Sequence, residues 1–209
     1  MLPSVSVDEA GPGGRRNARP GGDERSRALS AALLSPEQAE ALEVHGSKTA
    51  GVLVPIVDLA GSQSIVFTER RHDLSRHPGE ISFPGGRPEE GEDLLSCALR
   101  ESQEEIALDP EAIEVIGALQ PVSTVVTGYK VSPFVGLIQR DPKLEANPAE
   151  VERILALEIE DLRGGFEMRR LVRQGIPFRT PTYTVGDDLV WGATARILQD
   201  LLERLDGVA

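Results

Sequence analysis

Glu101, Glu104 and Glu105 fall at i, i + 3 and i + 4 in the stretch LLSCALRESQEEIAL, so a helix there carries three carboxylates on neighbouring positions of one face. Like charges placed this way destabilise by roughly 0.2–0.5 kcal/mol per pair unless a cation sits between them. A divalent metal removes that repulsion. Hard ions such as Mg2+ take oxygen ligands, keep several waters and bridge carboxylates to substrate phosphates. Acidic runs on helices are ordinarily solvated faces, but the neighbouring positions argue otherwise. At about 100° per residue, Leu95, Leu99, Ser102 and Ile106 form one stripe with Ala98 at its margin, and the glutamates begin beside it rather than opposite it. Upstream, the short apolar run Ile81-Ser82-Phe83 ends in Pro84-Gly85-Gly86, a turn whose glycines permit close backbone approach to a ligand. The unit to be positioned is therefore a strand, a glycine loop and an acidic helix.

Gly86, Glu92, Arg100, Glu101, Glu104 and Glu105 together resemble the Nudix box, G-x5-E-x7-R-E-U-x-E-E-x-G-U with U apolar. Two positions depart from it: Ser102 stands at an apolar position and Ala107 at the glycine, both read as packing or capping changes. The resemblance implies metal-assisted hydrolysis of a pyrophosphate linkage. Glu101, Glu105 and Glu104 would hold Mg2+ or Mn2+, with the Gly86 carbonyl joining the shell. Arg100 would orient the carboxylates, and Glu92 would pair with Arg100 or serve the outer shell. The general base comes from the box itself or from a later loop. Glu150, in NPAEVERI, is the loop candidate, with Glu152 in reserve and ordinary surface glutamates as the alternative.

The segment FTERRHDLSRHPGEISFPGG is similar to the signature of the coenzyme A pyrophosphatase branch of that family, matched at Thr68, Arg70, Gly79, Phe83, Pro84, Gly85 and Gly86. Arg71 replaces a small residue of the signature, and Ser75 stands where it has arginine, with Arg76 one step later. The resemblance implies that Arg70, Arg76, Phe83 and Gly85 meet the substrate, although Arg70, Arg71 and Arg76 remain open as the arginine concerned. Coenzyme A or its thioesters is the implied substrate. ADP-ribose, a dinucleotide or an oxidised nucleotide is the alternative, and a nucleotide-binding module without catalysis a third. The two motifs span residues 66 to 108, about a fifth of the chain. VWGATARILQDLL, from Val190, is similar to the C-terminal strand and helix of the same branch.

With 209 residues, 40% of them hydrophobic, and no obvious repeat, the chain suits one domain with a proper core. A net charge of -12 argues against nucleic acid, whose backbone is bound by basic surfaces. An acidic protein that binds a polyphosphate needs local compensation. Metal supplies part of it, and Arg70, Arg71 and Arg76 with His72 and His77 offer the rest, diluted by Glu69 and Asp73. Cys97 is the only cysteine, which excludes an internal disulfide and points to a reducing cytoplasm, with packing as its role. No run approaches the roughly 20 apolar residues of a membrane span, and the N-terminus lacks a signal-peptide h-region. The expected partner is thus a small molecule, with no nucleic acid and no membrane; a homodimer is compatible with the sequence.

Residues 1–29, rich in Gly, Pro and Arg, read as a flexible tail ahead of a domain over 30–209. Ser35, Pro36 and Gln38 predict a capped helix. GVLVPIVDLA and SIVFTER predict paired strands; IEVIGALQP, YKVSPFVGLIQ and RILALEI predict further strands, and TPTYTV with DLVWG an additional pair. Ala193 to Leu205 is an amphipathic helix. Strands interleaved with at least three helices give an α/β class, and with the resemblance a Nudix-type α/β/α sandwich with a mixed β-sheet.

Overall fold

The structure is a computed structural model, and it describes residues 27–59, 62–74, 78–124, 127–138, 142–173 and 175–207. Residues 27–32 form a helical segment, α1. Ser35 then caps α2 (Pro36–Glu40) with the full reciprocal box: its hydroxyl accepts from the Gln38 N–H, and the Gln38 side chain accepts from the Ser35 N–H at 2.9 Å. Leu29 is only 4% exposed and belongs to the main core, so the end of the predicted tail is fixed to the domain through that residue. The rest of that tail, 1–26, lies outside the described residues.

β1 (Lys48–Leu59) and β2 (Ser62–Arg70) form the expected antiparallel pair. β1 also runs parallel to β7 (Tyr129–Ile138), in register from Lys48 opposite Tyr129 to Val57 opposite Ile138. The two-residue strands β3 (Ile81–Ser82) and β4 (Gly85–Gly86), with β5 (Ile113–Ala118), β6 (Val122–Ser123) and β8 (Val151–Glu158), complete an eight-stranded mixed sheet. Its central strands are apolar at consecutive positions because both faces are covered. Leu53, Val57 and Val66 point into one cluster, shared with Ala98 and Ile106 of α3 (Leu94–Ile106). Val54, Ile56, Ile65 and Phe67 point the other way, against α4 (Ile159–Gly164) and α5 (Gly192–Asp206). The result is an α/β/α sandwich.

Several elements escaped the sequence reading, α1 and the two-residue β6 among them. The short helix α4 ends β8, and β9 (Phe166–Arg173) joins β10 (Ile176–Val185) and β11 (Asp188–Trp191) in a separate three-stranded antiparallel sheet, where only a pair was expected. FEMRRLVR hid because four of its eight residues are charged, and because its apolar side chains lie on an exposed strand. Charge without a buried face gives no period-2 hydrophobic signal.

Candidate active site

Asp93 starts the acidic helix: its carboxylate accepts from the N–H groups of Leu95 at 3.0 Å and Ser96 at 2.9 Å. Leu94 lies directly over β1, where Gly51 leaves room, since a methyl there would collide with the Leu94 carbonyl oxygen. The buried line of α3 is Cys97, Ala98, Ser102 and Ile106, rotated slightly from the predicted stripe; Leu95 and Leu99 sit at its margin. Ser102 fits this apolar position because its hydroxyl donates to the Ala98 carbonyl at 2.6 Å. At the far end, Ala107 takes the left-handed conformation that glycine normally fills, with φ 54° and ψ 27°. Cys97 is buried, which pushes its thiol up, as befits a packing residue.

The rotation brings Glu101 and Glu105 partly under the glycine turn. Gly85 and Gly86 pair with Val52 and Gly51 of β1, holding the turn against the sheet. The Gly85 N–H donates to Glu105 Oε2 at 3.2 Å, and the Glu101 carboxyl occupies the space that a side chain at residue 86 would need. Burial pushes the Glu105 carboxyl up to about 8; the Gly85 hydrogen bond opposes this, while Glu101 and Glu150 add to it. Glu101 is raised for the same first reason, burial, which outweighs its ion pair with Arg100. Glu104 stands outside, more than half exposed.

Arg100 organises the remaining charge. Its Nε and Nη2 grip both oxygens of Glu92 at 2.9 and 3.0 Å, and Nη1 reaches Glu101 at 3.0 Å and Glu104 at 3.1 Å. A further bond runs from Nη2 to the Arg87 carbonyl. The bidentate grip holds Glu92 well below the usual carboxylate range and raises Arg100.

From the later loop, Glu150 arrives at the same place. Its Oε2 pairs with Arg70 Nη1 at 3.4 Å, and both groups are felt by Glu105. No local sequence signal announces what holds that loop. The N–H groups of Glu145 and Asn147 donate to the carbonyls of Ile106 and Glu105 at 3.1 and 2.8 Å, so the loop backbone caps the end of α3. Glu152, the reserve, lies on β8 near Arg71 instead. Arg71 is engaged by Asp73 at 2.9 and 2.6 Å and by the Pro148 carbonyl. Arg76 lies outside the described residues.

Phe83 is a correction. It was expected to meet the substrate, yet it is 3% exposed, with its ring stacked on Phe67 at 4.9 Å in the core. An aromatic between a strand and a turn is drawn into the apolar layer that the strand already faces. Gly85 likewise spends its N–H on Glu105 rather than on an open surface.

Among the described residues, no three His, Cys, Asp or Glu side chains converge tightly enough to enclose an ion unaided. The donor set nevertheless fits a hard divalent cation. Glu105 carries a buried carboxylate with a single N–H donor, Glu101 sits beside it, and Mg2+ ordinarily completes its shell with water and phosphate oxygens. No helix among the described residues is long and apolar enough to cross a membrane.

The NUDIX domain model matches residues 47–174, which contain every element just described around the acidic helix. NudL of Klebsiella pneumoniae, an uncharacterized Nudix hydrolase, is 39% identical over 172 residues, covering 81% of this chain and 88% of its own. In fold, the chain is similar to a MutT/nudix family protein from Enterococcus faecalis (TM-score 0.55, 16% identity, 92% of this chain and 76% of that one). It is also similar to the NUDIX domain of Shewanella oneidensis NrtR, solved with ADP ribose (TM-score 0.51, 16% identity, 86% and 96%). The chain belongs to the Nudix hydrolase family.

Proposed function

We propose that this protein hydrolyses the pyrophosphate bond of coenzyme A or its thioesters, releasing adenosine 3',5'-bisphosphate and 4'-phosphopantetheine or its acyl derivative. The observation that carries the reading is the convergence of Arg70, the last residue of β2, on Glu150 and Glu105: the strand bearing the upstream signature ends beside the acidic helix.

Glu101 and Glu105, with Glu104 at the rim, would hold Mg2+ or Mn2+, which when bound neutralises the diphosphate and lowers the pKa of an attacking water. Arg100 holds Glu101 and Glu104 from one nitrogen and so orients them, leaving little reorganisation for the reaction. Glu150 is the base that takes the proton of the attacking water; as the water oxygen bonds to phosphorus, the bridging P–O bond breaks and the departing phosphate carries the electron pair. Arg70, anchored by Glu150, offers a guanidinium to a phosphate of the substrate.

A second reading keeps the chemistry and changes the substrate to ADP-ribose or a dinucleotide. It is favoured by the departure at Arg71, whose guanidinium is held by Asp73 and the 148 carbonyl. Purified protein is offered CoA, ADP-ribose, NADH and diadenosine polyphosphates with Mg2+ or Mn2+, and the products are resolved. Cleavage of CoA to the two named products supports the first reading; preference for ADP-ribose replaces it with the second. Loss of turnover in Glu101→Gln and Glu105→Gln, with the fold intact, separates catalysis at this site from contamination.

A further inference from the structure

Three of the four most exposed large apolar side chains among the described residues lie on one strand, β9: Phe166 at 42%, Met168 at 43% and Val172 at 68%. They share one face, since alternate residues of a strand point the same way. β9 is also the outer strand of its sheet, pairing only with β10 among the described residues. Its pairing decides which backbone groups face outward. Thr184 donates to Gly165, continuing the register in which Thr182 opposes Glu167 and Thr180 opposes Arg169, so the odd-numbered residues exchange hydrogen bonds with β10. Opposite the even positions stand Pro181, facing Met168, and Pro177, facing Val172; neither has an N–H to give. The N–H and C=O groups of Phe166, Met168, Arg170 and Val172 are therefore turned to the free edge. An edge of this kind, apolar and unguarded by a bulge, is a template for another strand.

We propose that the occupant is a second copy of this chain, its β9 added antiparallel about a two-fold axis at Met168, so that the two small sheets form one continuous six-stranded sheet. The charge pattern selects both the partner and the register. Centred on Met168, Glu167 lies opposite the partner's Arg169 in both directions, Met168 packs on the partner's Met168, and Phe166 faces the partner's Arg170, an aromatic ring against a guanidinium. Moving the axis to residue 169 opposes two Arg169 side chains, and moving it to 170 opposes two Arg170 side chains. Only the Met168 register among these is free of directly opposed like charges. The even residues then form the hydrogen-bonded pairs, each exchanging two N–H···O bonds. The ladder runs from Phe166 to Arg170 of each copy, since Gly164 ends α4 and β9 begins only at Phe166. Self-complementarity of this sort is what a two-fold interface requires.

The test is sedimentation or light scattering of the full chain across a dilution series, with circular dichroism to check folding. Wild type is expected to be a dimer that dissociates on dilution. Met168→Lys, which sets two ammonium groups against each other, should weaken dimerisation by on the order of a hundredfold, and Glu167→Arg alone by tenfold or more. The swap Glu167→Arg with Arg169→Glu keeps every charge but exchanges its place, and should restore the dimer that Glu167→Arg loses. This rescue, which exchanges two solvent-accessible side chains that already pair within one copy, keeps the proposal decidable even if Met168→Lys misfolds. A wild type that is monomeric throughout, or a dimer indifferent to these substitutions, overturns it; capture of a different strand at this edge would appear as the former. None of these residues touches the acidic site, so the outcome is independent of which substrate is cleaved.

Discussion

The backbone N–H of Asn147 donates to the carbonyl of Glu105 at 2.8 Å, so the residue that carries the most buried carboxylate of the site also anchors the loop that delivers Glu150. The Asn147 carbonyl then accepts from Glu150 and Val151, and its side-chain oxygen accepts from Ala149 at 3.0 Å. Asn147→Ala removes only that last bond and is expected to cost about 1 kcal/mol while loosening the 148–150 turn. Hydrogen exchange should quicken over residues 147–151 with α3 still protected, and kcat should fall more than KM rises. Unchanged exchange in the turn would show that the side chain does not hold it.

Glu105 makes stability depend on pH in a direction opposite to that of an ordinary salt-bridged carboxylate. Its folded-state pKa of about 8 exceeds the reference value of 4.5, so the native state holds the proton more tightly than the unfolded chain does. The associated stability is full below 4.5 and is lost as pH rises towards about 8, at no more than about 1.4 kcal/mol per pH unit. Glu101, raised by burial, acts in the same sense. Urea melts in EDTA should show this decline in wild type and a flatter profile in Glu105→Gln. Mn2+ affinity should move the other way, increasing up to about tenfold per pH unit until pH 8, because binding must displace the proton.

Ala107 sits in the left-handed region at the end of α3, where Cβ crowding costs roughly 1–2 kcal/mol. Ala107→Gly relieves this and gives back part through a more flexible unfolded chain, worth roughly 0.4–1 kcal/mol. A rise in Tm of about 2 °C is expected. A fall would mean that the methyl makes contacts that outweigh the strain.

Arg100→Lys keeps the charge and abolishes the fork. With Glu92, Glu101 and Glu104 no longer held from one centre, the protein should lose roughly 1.5–3 kcal/mol. Urea denaturation measures the loss, and saturating Mg2+ should recover part of it if the ion lies between the released carboxylates. No difference between wild type and variant would reduce Arg100 to a surface pair.

Coenzyme A differs from simpler adenine nucleotides by its 3'-phosphate, a dianion suited to a guanidinium. Dephospho-CoA is expected to be the poorer substrate, and Arg70→Ala, which also frees Glu150, to narrow the gap by lowering kcat/KM for CoA more than for dephospho-CoA, by roughly 1.5–3 kcal/mol. Equal cleavage of the two substrates by wild type would remove Arg70 from that role.

The acidic helix was legible because its signal is local. Residue spacing places Glu101, Glu104 and Glu105 on one face, Asp93 caps the start, and the Arg100–Glu92 pairing joins positions only eight apart. The glycine turn was legible for a related reason: a side chain at Gly85 would strike the backbone of β1 and one at Gly86 would strike the Glu101 carboxyl, so only glycine fits. Phe83 misled because a ring beside a motif reads the same whether it faces a ligand or the core.

Residue type and spacing therefore determined the carboxylate set, its supporting arginine, the turn above it and the alternation of strands with helices, since each depends on neighbours within a few residues. Tertiary structure alone decided how deeply Glu105 is buried, and hence where it titrates, because that depends on the turn and sheet packed over it. It also decided that Glu150 and Arg70, eighty positions apart, meet, and that the exposed face of β9 is an open edge. Those relationships arise from strand pairing and from backbone hydrogen bonds across long loops, which leave no periodic mark on the chain that makes them.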